Sequence, residues 1–348
     1  MAERTDLLTS IATTIQDYRA GELAKPTSNH VERWIQQFDT VVQLPMLREL
    51  NHVLDKTYFT KASVSSFFSD LITHQQLAGE DPCAFWSGSH ILDIQQNGHS
   101  QSEIRALFDE ALMERCGLKI DDCGNPDGAF IYLDDVLFSG GRIGDDLESW
   151  ITEEAPAKAT VHAIVIVAHR FGEWKCTNRV RAAAENAGKV IDFRFWAALR
   201  IENRNYHRNK SEVLWPTAIP DDADLKAYMA EEQKFPFVAR HPGQIFEHGV
   251  FSTEQGRQLL ERELLIAGMR IRSFSQNPNR ALRPLGFSPF GLGFGSMIVT
   301  YRNCPNNTPL ALWWGDPNAH PDHPFSKWYP LLPRKTYAQE IDFDVVVD

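Results

Sequence analysis

Phe130–Arg142 reads FIYLDDVLFSGGR, an apolar run that meets two adjacent aspartates, Asp134 and Asp135, and then a Ser-Gly-Gly turn. The run predicts a buried strand, Phe130–Leu133, with the acidic pair at its carboxyl end. Ser139, Gly140 and Gly141 would then open a helix whose apolar face carries Ile143, Leu147, Trp150 and Ile151. Glycines let backbone N–H groups turn toward an anion, and a helix N-terminus adds partial positive charge. The plainer reading of this stretch is a strand capped by an acidic turn, with Asp135 merely capping or salt-bridged.

Outward from that stretch, strands and helices alternate. Val161–His169 (VHAIVIVAH) is an almost unbroken apolar run of strand length, as expected of a strand buried on both faces. A helix over about 174–188 and a strand over Val190–Leu199 follow. On the other side, Ser89–Gln101 is a short apolar run ending in Asn-Gly, and Ile104, Leu107, Phe108 and Leu112 mark a helix closed by Gly117. Strands alternating with helices predict an α/β fold with a parallel sheet. The first eighty residues read as helices, with Val31, Trp34, Ile35, Phe38 and Val64, Phe67, Phe68, Leu71 at i, i+3, i+4, i+7 spacing. Beyond residue 205 prolines and aromatics thicken. One helix is expected at Thr253–Gly268, and strand-like runs at Ser296–Tyr301 and Pro309–Trp314. The expected organisation is an N-terminal helical region (1–84), the α/β core (85–205) and an irregular α+β region (206–348), either a hood or a partner-binding surface.

With 348 residues, 43% hydrophobic and 23% charged, the composition is that of a globular protein. No apolar run is long enough to span a bilayer, and MAERTDLLTS has no charged-then-apolar signal pattern. A net charge of −11 argues against nucleic-acid or anionic-membrane binding by the whole surface. One basic run, Arg194–Lys210, remains, and a solvated edge is its plain reading. Five cysteines, odd in number and irregularly spaced, predict reduced thiols in a cytoplasmic protein. Cys304 is read as structural, and His320 and His323 as a surface loop, since no third metal ligand stands beside them. Arg270, Arg272, Arg280 and Arg283 read equally as a clamp on an anion or as a solvated face.

In an open parallel sheet, ligands bind beyond the carboxyl ends of the strands. Two carboxylates beside a phosphate cradle repel an anion unless they meet hydroxyls or a hydrated Mg²⁺. A ribose 5-phosphate satisfies both demands, its phosphate on the loop and its hydroxyls on the aspartates. The chain has no GxxxxGK[ST], so a P-loop NTPase is excluded at the level of the motif.

FIYLDDVLFSGGR resembles the phosphoribosyl pyrophosphate (PRPP) signature of type I phosphoribosyltransferases. The resemblance extends in element order over roughly residues 85–200, and implies a parallel-sheet core of that type. It implies that Asp134 and Asp135 hold the ribose hydroxyls as catalytic residues. Phe138, Ser139, Gly140, Gly141 and Arg142 would form the 5′-phosphate loop, and Asn97, Gly98, His99 and Ser100 the pyrophosphate loop. Leu118–Ala129 falls where the family has a mobile catalytic loop. Mg²⁺ would arrive with the ligand, and no protein metal site is implied. The sequence departs from the pattern at Phe138 and Arg142, where the family usually has Thr, and no Lys or Arg stands near the pyrophosphate loop. IQDYRAGE…HVERWIQQF near the start, with NCPNNTPLALWWG and WYPLLPR near the end, looks like the phosphoribosyltransferase-like proteins of bacterial conflict systems. That likeness implies an anti-phage effector, with a retron reverse transcriptase and its DNA/RNA product as partner and no membrane. The alternatives are a non-catalytic PRPP or nucleotide sensor, and an interaction protein that retains only the fold.

Overall fold

Helix signals in the first sixty residues are local and strong. Thr27 and Asp39 accept backbone N–H bonds from His30 and Val41, capping α2 (Ser28–Ile35) and α3 (Thr40–Thr57). Before them runs α1 (Ala2–Thr14), and after them the short β1 (Tyr58–Phe59). The computed structural model describes residues 2–96, 100–231, 237–243, 249–275, 277–289 and 291–335.

The chain divides into two compact units. One joins residues 1–60 to 212–348, and the other is continuous, 61–211. Residues 61–84 therefore group with the sheet, and the first sixty with the C-terminal region.

The continuous unit begins with α4 (Lys61–Ile72), α5 (Gln75–Ala78) and α6 (Pro82–Gly88), then β2 (His90–Ile91) and α7 (Ser100–Cys116). There follow β3 (Phe130–Leu137), α8 (Gly141–Glu153), β4 (Lys158–His169), α9 (Arg170–Asn186) and β5 (Val190–Ile201). The sheet is four-stranded and parallel throughout, in the order β2-β3-β4-β5. This is the expected α/β class. Ile143, Leu147, Trp150 and Ile151 of α8, with Cys176, Val180, Ala183 and Ala184 of α9, bury against one face. On the other face His162 of β4 meets Phe85, and Trp86 and Phe68 each pack edge-on against Phe108 of α7. β4 is buried from Val161 to His169, which is why its sequence is apolar without alternation.

The other unit adds α10 (Ala223–Glu231), α11 (Glu254–Arg272), β6 (Leu282–Arg283), β7 (Gly286–Phe287), β8 (Val299–Thr300) and α12 (Leu310–Trp313). β8 pairs in parallel with β1, joining the two sequence-distant parts of this unit. The expected helix at Thr253 is present, with Thr253 accepting the Gly256 N–H at 2.9 Å. Pro309–Trp314 is not a strand: Pro309 starts a single helical turn, whose Ala311 carbonyl accepts from Trp34 and Trp328. Arg283 is no anion clamp. It is buried and donates to the Ser288, Pro289 and Gly291 carbonyls and to the Tyr228 hydroxyl.

The expectation of reduced thiols is overturned at Cys83 and Cys116, which form a disulfide. Separated by 33 positions, they gave no spacing signal, but the fold brings the start of α6 to the end of α7. This also removes the ground on which a cytoplasmic protein was expected. Cys123, Cys176 and Cys304 remain free thiols. Burial pushes Cys304 up to about 12, and its sulfur lies 3.0 Å from the Thr308 hydroxyl, so its role is structural. Among the described residues, no helix is long and apolar enough to cross a membrane.

Candidate sugar-phosphate site

β3 does not stop at Leu133. It continues to Leu137 because Val136 and Leu137 find partners in Val167 and Ala168 of β4. The acidic pair therefore lies inside the strand, with Asp134 opposite Val165. A slip in alternation falls there. Phe130 and Tyr132 face the same core as Leu137, so the pattern changes phase across Asp134–Val136. In the slipped segment the Asp135 N–H donates to Asp134 Oδ1 at 2.9 Å, and the Val136 N–H to Asp135 Oδ1 at 2.7 Å. Asp134 is 2% exposed and Asp135 is half-buried.

Beyond Leu137 comes the glycine loop. Gly140 adopts the left-handed conformation (φ 77°) and serves as N-cap of α8. The loop packs against the first turn of α9 at van der Waals limits. A Cβ on Gly140 would stand 2.5 Å from the Gly172 carbonyl, and one on Gly172 would collide with the Phe138 carbonyl. The two glycines fix the loop's height above the sheet. Phe138 does not face a ligand as a donor would; its ring stacks on His169 at 5.0 Å. His169 is fully buried at the end of β4, and its Nδ1–H donates to the Leu137 carbonyl at 2.9 Å. Burial holds this imidazole down to about 4, so it is neutral backing for the loop. Ser139 and Arg142 are exposed. The first-turn N–H groups of α8 point to the same end, as helix geometry requires.

A second support, absent from the sequence reading, lies beneath the segment after β2. Gln101 Oε1 accepts the N–H groups of Ile94 (3.1 Å) and Gln95 (3.0 Å). Asp146 Oδ1 accepts that of Gln96 at 3.1 Å, while its Oδ2 accepts the Tyr132 hydroxyl at 2.7 Å. Burial raises the Asp146 carboxyl above its ordinary range, against the pull of Tyr132, Gln96 and Arg142. One signal was legible: Asp146 sits three residues after Ile143 and directly before Leu147, on the apolar face of its helix. Asn97, Gly98 and His99 lie outside the described residues. Ser100 opens α7, and its side chain is likewise outside them.

The expected catalytic loop is elsewhere. Leu118–Ala129 leads into the amino end of β3, whereas the acidic pair and the glycine loop lie toward its carboxyl end. It is pinned there. Gly124 and Asn125 donate to the Ser87 and Gly88 carbonyls, each at 2.9 Å, and His90 Nε2 meets the Asn125 carbonyl at 2.6 Å. From Phe130 to Leu137 the strand rises about 23 Å, so this loop does not reach the carboxyl end. In a parallel sheet, the segment before a strand and the segment after it lie at opposite ends.

The sequence model of the family PRTase-CE matches residues 31–334. The chain belongs to the PRTase-CE family. It is a phosphoribosyltransferase-like protein, and its parallel α/β sheet agrees with that membership. Comparison with curated proteins and with solved structures gives no match. The described part of the candidate site comprises Asp134 and Asp135 in β3 and the loop Phe138–Arg142, backed by His169 and Gly172. Among the described residues no group of three or more His, Cys, Asp or Glu side chains is arranged to hold a metal.

Proposed function

We propose that the continuous unit binds a 5-phosphorylated ribose, as PRPP or a ribose-5-phosphate nucleotide. The observation that carries this is the succession from Asp134 in β3 to left-handed Gly140 at the start of α8, packed on Gly172. The phosphate lies on the N–H groups of Ser139–Arg142, with the Arg142 guanidinium as a further donor. Asp134 and Asp135 accept the ribose hydroxyls. Asn97–Ser100, following the segment held by Gln101 and Asp146, takes the pyrophosphate. Carboxylates are the right donors for Mg²⁺, but two of them without a third fit an ion that arrives on the ligand's phosphates. Such an ion would neutralise the leaving pyrophosphate. The chain's own contribution would be to orient the sugar for displacement at C1.

A second reading, a PRPP or nucleotide sensor without turnover, is favoured by two observations. Phe138 is stacked on His169, where a hydroxyl donor would serve catalysis, and Leu118–Ala129 is tied to the opposite end of the sheet. Pyrophosphate release from PRPP with Mg²⁺, measured alone and with candidate bases, separates the two. Release abolished by Asp134→Asn/Asp135→Asn identifies an enzyme; ligand binding without release identifies a sensor. The likeness to conflict-system proteins supports an anti-phage effector partnered with a retron reverse transcriptase and its DNA/RNA product. Phage plating on cells carrying the system tests it: protection lost with the double asparagine variant is the expected result, and protection unchanged contradicts it.

A further inference from the structure

Charge is unevenly placed along this acidic chain. Residues 170–210, which form α9, the edge strand β5 and the turn after it, hold ten lysines and arginines against four aspartates and glutamates, while the whole protein carries −11. Some of these cations are matched locally: Arg194 by Asp192, Arg200 by Glu173, Arg204 by Glu202, and Arg179 by Asp145 and Glu148 of α8. The excess is still positive. Lys175, Arg181, Arg194 and Lys210 are exposed.

Two large aromatic side chains stand in the same stretch with most of their surface in water, Trp174 (59% exposed) and Tyr206 (71%). The fold draws their segments together. Asn203 Oδ1 accepts the Phe171 N–H at 2.9 Å, and Arg200 meets Glu173 at 3.3 Å, so the first turns of α9 lie against the end of β5. Phe171 adjoins Trp174 at 5.9 Å between ring centroids, and the Arg204 guanidinium lies over Tyr206 at 5.2 Å. Burying neither ring forgoes hydrophobic stabilisation, and the exposed aromatics sit where the net charge is positive.

We propose that this carboxyl edge, α9 with the 200–210 segment, binds single-stranded nucleic acid. Cationic groups would track the phosphates while Trp174 and Tyr206 stack on unpaired bases, a combination suited to a strand whose base faces are open and not to a duplex. The surface adjoins the glycine loop through Gly172, so a bound strand would pass beside the sugar-phosphate site without needing that site to be filled.

Fluorescence anisotropy with a labelled oligothymidylate, and with the same strand annealed to oligoadenylate, tests the proposal on the full chain across a salt series. The expected result is tighter binding of the single strand and a loss of affinity as salt rises. Trp174→Ala/Tyr206→Ala should weaken single-strand binding roughly tenfold or more. Trp174→Phe, which keeps a stacking face, should retain most of it, and Lys175→Glu/Lys210→Glu should flatten the salt dependence. These side chains are exposed, and circular dichroism of each variant checks the fold. No binding at low salt, duplex bound as tightly as single strand, or affinity unchanged in a folded double-alanine variant would each overturn the proposal. A dimer of the wild type that the double-alanine variant abolishes would overturn it too, assigning the surface to a second copy of the chain.

Discussion

Gly140 and Gly172 carry more of the candidate site than their size suggests, because each holds a backbone where a methyl group cannot go. At Gly140 the strain is double: a left-handed φ of 77° and a Cβ position 2.5 Å from the Gly172 carbonyl. Gly140→Ala should cost at least about 1–3 kcal/mol of stability in thermal or urea unfolding, and displace the loop from α9. Equal stability of the variant would remove the loop's support. His169 offers a second test with a definite sign. Burial holds His169 and His162 at about 4, against an ordinary value of 6.5, so the unfolded chain binds more protons between those values. Stability is therefore full above about pH 6.5 and falls as pH drops toward 4, by roughly 1.4 kcal/mol per pH unit for each such histidine. Asp146, raised by burial, acts in the opposite sense, so the comparison is with a variant and not with zero. His169→Asn keeps a donor for the Leu137 carbonyl and should flatten the fall by one histidine's share. An unchanged profile would mean His169 is not held neutral.

At the scale of elements, the order of strand and helix from residue 100 to 201 was legible because β4 is an unbroken apolar run of strand length and the faces of α7 and α8 follow the 3.6 period. The acidic pair's placement inside β3 was not. A carboxylate reads as the end of an apolar run, yet here the alternation slips at Asp134–Val136 and the backbone N–H groups are taken up by the aspartates themselves. The end of the sheet that holds Leu118–Ala129 does follow from order, since in a parallel sheet the segment before β3 lies at its amino end; what order does not show is that bonds to Ser87, Gly88 and His90 tie it there. Trp314 shows the same limit: Pro309–Trp314 looks strand-like by composition, but tertiary hydrogen bonds from Trp34 and Trp328 hold a helical turn there. The Cys83–Cys116 bond is likewise a product of the fold, joining the start of α6 to the end of α7. It closes a loop of 33 positions, so reduction should cost roughly 3–4 kcal/mol by chain entropy. Unfolding with and without dithiothreitol measures this; identical midpoints would show that the bond contributes nothing.

The whole molecule is one unit inserted into another: the chain leaves the first unit at residue 60 and returns at 212. A continuous segment with its own sheet and core should fold alone, whereas residues 1–60 and 212–348 complete each other through β1 and β8 and the α3–α11 contact. Circular dichroism of a 61–211 fragment should show a cooperative transition, and a 1–60 fragment should show none. A 61–211 fragment without cooperative unfolding would mean the two units depend on each other.

On the proposed function, FIYLDDVLFSGGR holds a sugar phosphate. Calorimetric titration of PRPP with Mg²⁺ into the full chain and into Asp134→Asn/Asp135→Asn decides this, with circular dichroism confirming that both are folded. Saturable binding by the wild type, lost in the double variant, is the predicted result. No binding by the folded wild type, or equal binding by both, would contradict it.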